Sequence, residues 1–410
     1  MQFDLFHSLG RIDTLLPQVT DRQVFLDFFA QAKAAEDLGF GTVWVAESHF
    51  SSEVQKLHVE PVIPDFRGEV GLNNDSPQLA QALFERTRRI GFGTAIYNIV
   101  GGNGGPLGAA DRVRSLAFLN GLRETPRNLH IGIAAGRFPY INKPYGVVPR
   151  DPIEAALWPQ YKRLIFLEAL EIFLRLSNAE TIASTELSRR TITRELFSND
   201  AAWERALREV HGQVELTGGG IPYRGRWTFE PLRLVPDLPR ADLARHVRFV
   251  LGSSDPLALD QAFQLDDIDI FNLSFTPPEQ IDATHTRMQA RCAGVGRTWH
   301  RSRMPRTVLV FVDEDPKRAE ERASKALDVY LAAMEGTVAA PEKQRLLSRA
   351  LVGDAAMVRE QLSPDNPRGI HPDDRLMLWF EYGQADSSAI LQQMHYFANH
   401  VMAHCPGGST

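Results

Sequence analysis

Three polar residues, Glu47, Ser48 and His49, follow an apolar run at residues 42–46 and precede Phe50. Gly39 stops a helical stretch just before the run, so the run reads as a buried strand and the triplet as its carboxyl end. In parallel α/β folds that end is where chemistry is done. A histidine placed there can take or give a proton near neutrality, and Glu47 stands close enough in sequence to orient it. The competing reading of His49 is a buried histidine satisfied by backbone.

Two further stretches carry the same kind of ambiguity. Gly252-Ser253-Ser254-Asp255-Pro256 is a small polar turn between an apolar strand and a helix with proline in its first turn. Its amides and hydroxyls suit an anion such as a phosphate, or they simply cap the helix. Gly132-Ile133-Ala134-Ala135-Gly136-Arg137 ends another strand in small residues, which lets a flat ring or a phosphate approach the backbone while Arg137 complements its charge. Tight packing beside a surface arginine explains it equally well. Thr94 and Asn98, near the end of a third strand, are hydrogen-bonding candidates of the same standing. Metal chemistry has little support, because His7 stands alone on the first strand and none of the 12 histidines forms a His-Glu-x-x-His pair. The sequence also lacks a Gly-x-Ser-x-Gly elbow and a phosphate-binding Walker loop.

Positioning these groups requires strands in alternation with helices. Strands are predicted at 2–8, 42–46, 91–97, 129–134, 247–251, 268–273, 307–312 and 375–380. Helices fall between them, the first opened by a capping pattern at Thr20 and Gln23 and the strongest at 160–177. Eight strands each followed by helix predict an α/β fold, a closed (β/α)8 TIM barrel formed as one domain over residues 1–410. Insertions are expected at 51–76, 178–246 and 336–370, with a small hairpin turning at Gly225 inside the second.

Composition bounds the rest. With 43% hydrophobic and 23% charged residues the chain has the make-up of a soluble protein. A net charge of −6 gives no basic field for nucleic acid or an anionic membrane, which leaves small-molecule chemistry. Two cysteines exclude a disulfide framework, and no run of apolar residues is long enough to span a bilayer. A cytoplasmic protein is the expectation.

Several segments in order resemble the luciferase-like flavin monooxygenases. Residues 38–50, Leu-Gly-Phe-Gly-Thr-Val-Trp-Val-Ala-Glu-Ser-His-Phe, are similar to that family's Gly-Phe-Asp-Thr-Val-Trp segment ending in Glu-His-His-Phe. Residues 90–95 and 130–136 resemble its third and fourth strands, and Val352-Gly353-Asp354 with Phe380-Glu381-Tyr382-Gly383 resembles its carboxyl-terminal signature. The resemblance implies reduced FMN supplied by a separate flavin reductase, dioxygen, and oxidation of a small organic substrate by Baeyer–Villiger insertion or hydroxylation. It also implies Gly252, Ser253 and Ser254 at the flavin phosphate with Arg163 beside them, His49 as acid or base, and Glu381 near the substrate. A non-prolyl cis peptide is expected at or near Ala95 and Ile96, and a homodimer through the helices near 77–89 and 106–121. Ser48 stands where luciferase has a catalytic histidine, and Ala135 where it has a phosphate-binding arginine, so neither role is carried over. A deazaflavin-dependent hydride-transfer enzyme, or a silent flavin-binding protein, fits the same barrel. A barrel hydrolase is disfavoured by the missing ligands and elbow.

Overall fold

The computed structural model describes residues 1–13, 19–64, 66–213, 215–217, 219–272, 276–334 and 343–405. Its central sheet has nine strands: β1 (Gln2–His7), β2 (Thr42–Val45), β3 (Gly91–Asn98), β4 (Leu129–Ala134), β5 (Val247–Leu251), β6 (Asp269–Ile270), β7 (Arg306–Val312), β8 (Leu351–Gly353) and β9 (Arg375–Trp379). They lie in the order β6-β5-β4-β3-β2-β1-β9-β7-β8, and every pairing is parallel. The end strand β6 is linked to β7, next to the far end of the row, at Asn272, whose amide donates to the Pro305 carbonyl at 3.0 Å and whose carbonyl accepts from the Thr307 amide at 3.1 Å. The expected α/β barrel is thus the observed architecture.

Each strand is apolar on both sides, because one face packs inside the ring and the other on helices. Leu5, Val43, Val45, Val308, Val310, Leu376 and Leu378 pack outward in one core. The alternate residues Phe6, Trp44, Leu309, Phe311, Met377 and Trp379 form a second core. Outside run α1 (Asp21–Asp37), α2 (Ser76–Phe84), α3 (Gly105–Gly121), α4 (Trp158–Ser177), α5 (Pro256–Leu265), α6 (Pro278–Gly294), α7 (Pro316–Met334) and α8 (Ser387–His400). Thr20 caps α1 as its spacing predicts, accepting from the Gln23 amide at 3.2 Å. The amino end of the ring is closed by a charged plug. Arg375 donates to Asp4 at 2.5 Å and to Thr42 at 2.8 Å, and it lies 2.9 Å from His130 Nε2.

Three expectations change. The strand at 351–353 is a ninth, too short to show a period, and it lies inside the stretch expected as the third insertion, of which 336–342 falls outside the described residues. The hairpin turning at Gly225 does not form. Ile221–Pro222 pairs antiparallel with Thr191–Ile192 instead, while the Tyr223 hydroxyl and the Arg226 amide donate to the buried Glu168 of α4 at 2.6 and 2.8 Å. A charged anchor on a neighbouring helix wins over local pairing. The same insertion holds a helix, Asp200–Val210, capped by Asn199 and legible in the spacing of Trp203, Ala206, Leu207 and Val210.

The first insertion covers the carboxyl ends of the strands. Gly68–Glu69 pairs antiparallel with Arg11–Ile12 just after β1, and the Glu69 carboxylate accepts from the Ser51 hydroxyl and the Ser52 amide at 2.5 and 2.7 Å. Gly68 has φ +117°, and a Cβ there would lie 1.9 Å from the Arg11 carbonyl oxygen, so only glycine brings the two segments together.

Candidate active site

Glu47, Ser48 and His49 leave β2 directly into a cavity of about 680 Å³ that spans the carboxyl ends of six neighbouring strands, β5 to β9 in sheet order. Glu47 is held on all sides. Its carboxylate accepts from the Ser76 hydroxyl at 2.5 Å, the Ser76 amide at 3.3 Å, the Asn103 amide group at 2.6 Å and the ring of His49 at 3.2 Å. A carboxylate with three other donors can only accept from the imidazole, so His49 carries its hydrogen on Nε2. Nδ1 has no protein partner among the described residues and is not among their sealed polar atoms. The arrangement orients a histidine through a carboxylate and leaves the second nitrogen free to work.

The ring fits because Gly102 lacks a side chain, since a Cβ there would lie 2.6 Å from His49 Nε2. Asn103, at φ +60° in the glycine-rich loop of residues 101–105, turns its side chain onto Glu47. Neither Asn103 nor Ser76 was singled out from the sequence. Asparagine in a run of glycines is the signal for the first, because it tolerates left-handed backbone. Ser76 reads as a helix cap, yet Asp75 caps α2 and frees the Ser76 hydroxyl for Glu47.

At the β5 end, Gly252 and Ser253 line the cavity, and Ser254 is exposed outside it. Arg163 does not reach in. It pairs with Asp255, Nη2 to Oδ1 at 2.5 Å, and Asp255 caps α5 by accepting from the Leu257 amide at 3.0 Å. Ala134, Gly136 and Arg137 line the wall between, and the exposed Arg137 has its guanidinium 5.5 Å from the Phe138 ring centroid with no carboxylate partner among the described residues. Asn98 lines the wall but spends its amide on Asn142 and on the backbone of Val100 and Gly101. Thr94 lies below, donating to the Gly132 carbonyl at 2.9 Å. The peptide bond between Ala95 and Ile96, both lining residues, is cis, where the resemblance placed one.

At the opposite end Glu381 accepts from the Ser8 amide at 2.5 Å and lies 3.5 Å from His7 Nδ1. That nitrogen is not charged toward Glu381, because it accepts from the Leu9 amide at 3.0 Å. Burial holds the His7 ring below its usual pKa, with the Glu381 charge opposing. Tyr330 of α7 also lines this end, its phenol pushed up to about 12 by burial. No sequence pattern points to Tyr330, since one tyrosine on an amphipathic helix is indistinguishable from core.

Residues 1–186 match the family model described as luciferase-like monooxygenase, in line with the resemblance at residues 38–50 and 90–136. Among solved structures it is similar to monooxygenase RslO1 from Streptomyces bottropensis, at 19% identity and TM-score 0.67 over 98% of this chain and 99% of that one. It is also similar to the FMN-bound oxygenating constituent of 3,6-diketocamphane monooxygenase from Pseudomonas putida, at 14% identity and TM-score 0.62 over 99% of each chain. A third likeness is to the coenzyme F420-dependent tetrahydromethanopterin reductase of Methanopyrus kandleri, at 12% identity and TM-score 0.52 over 99% of each chain. At these identities the likeness is one of fold. Curated protein sequences give no match.

Proposed function

We propose that this protein is the oxygenating component of a two-component system, which takes reduced FMN from a separate reductase and uses it with dioxygen to oxidise a small organic molecule. The carrying observation is that one cavity brings together a carboxylate-oriented histidine and, at its far end, a turn with Ser253 and Arg137, which has no carboxylate partner among the described residues. The residues fit a flavin. Small side chains at 134–136 leave room for a flat ring, and Ser253, Arg137 and the amino end of α5 suit a phosphate. Bound reduced flavin would supply the electrons that activate dioxygen. His49 then holds or delivers a proton at Nδ1, and Phe6, Phe66, Phe138, Phe166, Phe271 and Trp379 exclude water around an apolar substrate of medium size.

A deazaflavin serving hydride transfer is the second reading, supported by the F420-dependent neighbour and by a histidine site that suits either cofactor. Anaerobic titration separates the two. Tighter binding of reduced FMN, with oxygen uptake on adding a flavin reductase, is expected, whereas tighter binding of F420 with oxygen-independent turnover would replace the first reading by the second. The exposed Leu119 of α3 and adjacent Leu122 support a homodimer through α2 and α3. Among the described residues no helix is long and apolar enough to cross a membrane.

A further inference from the structure

His49 lines two spaces. One is the central cavity and the other is an outer cleft of about 520 Å³ lined by Asp75, Gln78, Asn103, Arg112 and Tyr145, and among the described residues His49 is the one their linings share. The cleft is polar where the cavity is aromatic. Asp75 forms an ion pair with Arg112 at its rim, and Asn103 donates to the same Glu47 oxygen that faces His49 Nε2. Around the ring, Nε2 faces Glu47 at 3.2 Å and Asn103 at 3.5 Å, and Nδ1 has no hydrogen-bond partner among the described residues. The charged and titratable groups around the ring are Glu47 on its own strand end, Asp75 just before α2, Arg112 of α3 and Tyr145, with Tyr97, its phenol raised by burial, beyond Glu47.

The geometry points to His49 as a two-sided proton carrier, exchanging protons with the reacting group through the cavity and with solvent through the outer cleft. This deepens the acid–base role given to His49 above and rests on it. A proton taken at Nδ1 makes the ring an imidazolium. Release of that proton to cleft water makes the ring neutral again, the Glu47 carboxylate keeping the hydrogen on Nε2 throughout. A cavity sealed by cofactor and substrate then needs no water of its own to clear a proton.

The test is accessibility of position 49 from outside with the cavity filled. His49→Cys is placed in a Cys405→Ser chain, Cys292 being buried, and labelled with a small cationic methanethiosulfonate. Saturating FMN is expected to slow labelling less than about threefold, whereas adding Gln78→Trp, which fills the cleft, slows it about tenfold or more. FMN blocking the label as completely as Gln78→Trp does, or Gln78→Trp leaving the rate unchanged, overturns the carrier. FMN binding to the same variant is titrated first, so failure of the flavin reading shows separately and the Gln78→Trp arm still decides the route. In the otherwise native chain Gln78→Trp should also raise the solvent deuterium isotope effect on kcat about twofold at constant KM, which a merely structural change would not do.

Discussion

On the function proposed above the most consequential side chain is His49, and its partner Glu47 carries the more easily misread effect. Removing the imidazole with His49→Ala should lower kcat by about 100-fold or more while changing the Kd for FMN by less than about threefold, read by steady-state kinetics and anaerobic titration. Glu47→Gln keeps the shape but exchanges a pure acceptor for an amide, so the hydrogen on Nε2 is no longer fixed. A fall in kcat of about tenfold with a displaced pH profile is expected, and an unchanged profile would remove the orienting role. Much of this site was legible from residue type alone, because a polar triplet after an apolar run can hardly sit elsewhere than at a strand end. Arg163 and Thr94 were not, since nothing in the order of residues reveals that Asp255 and the Gly132 carbonyl already occupy them.

At the level of elements, the site depends on segments that are pinned far from it. Asp4 on β1, Thr42 on β2, His130 on β4 and Arg375 on β9 meet at the amino end of the ring, where Asp4 is 1% exposed. Asp4→Ala leaves the partly buried Arg375 without its carboxylate and should cost about 3–5 kcal/mol in urea unfolding, with catalytic constants retained below the new melting point. The double variant Asp4→Ala/Arg375→Met should recover part of the loss, and additive losses would contradict the pairing. The cover over the other end behaves differently. Gly68→Ala should free residues 51–69 for proteolysis several times faster and leave the global Tm within about 2 °C, because a Cβ there collides with the Arg11 backbone at the surface of the barrel. Strands and their helices were readable from apolar runs and caps, whereas this cover was not, because Arg11–Ile12 and Gly68–Glu69 are two residues each and gain their pairing only from the barrel beneath.

Across the whole molecule the buried histidines set the acid limit. His7, His130 and His285 are held below their usual pKa by burial, His285 to about 4 with its Nδ1 accepting from Trp299 Nε1 at 3.1 Å. The unfolded chain binds a proton at His285 near pH 6.5 and the folded chain only near 4, so stability falls as pH drops through that window, by up to about 1.4 kcal/mol per unit for this one group. His285→Gln, which keeps an acceptor for Trp299, should flatten the fall in urea midpoint between those limits. All of the functional account, however, stands on what fills the cavity at the strand ends. The structure of the protein crystallised with FMN tests that most directly. The phosphate is predicted against Ser253 and Arg137 with the ring within hydrogen-bonding reach of the group His49 serves, whereas a cavity that stays free of flavin, or a flavin bound with its phosphate beside Glu381, would contradict the account.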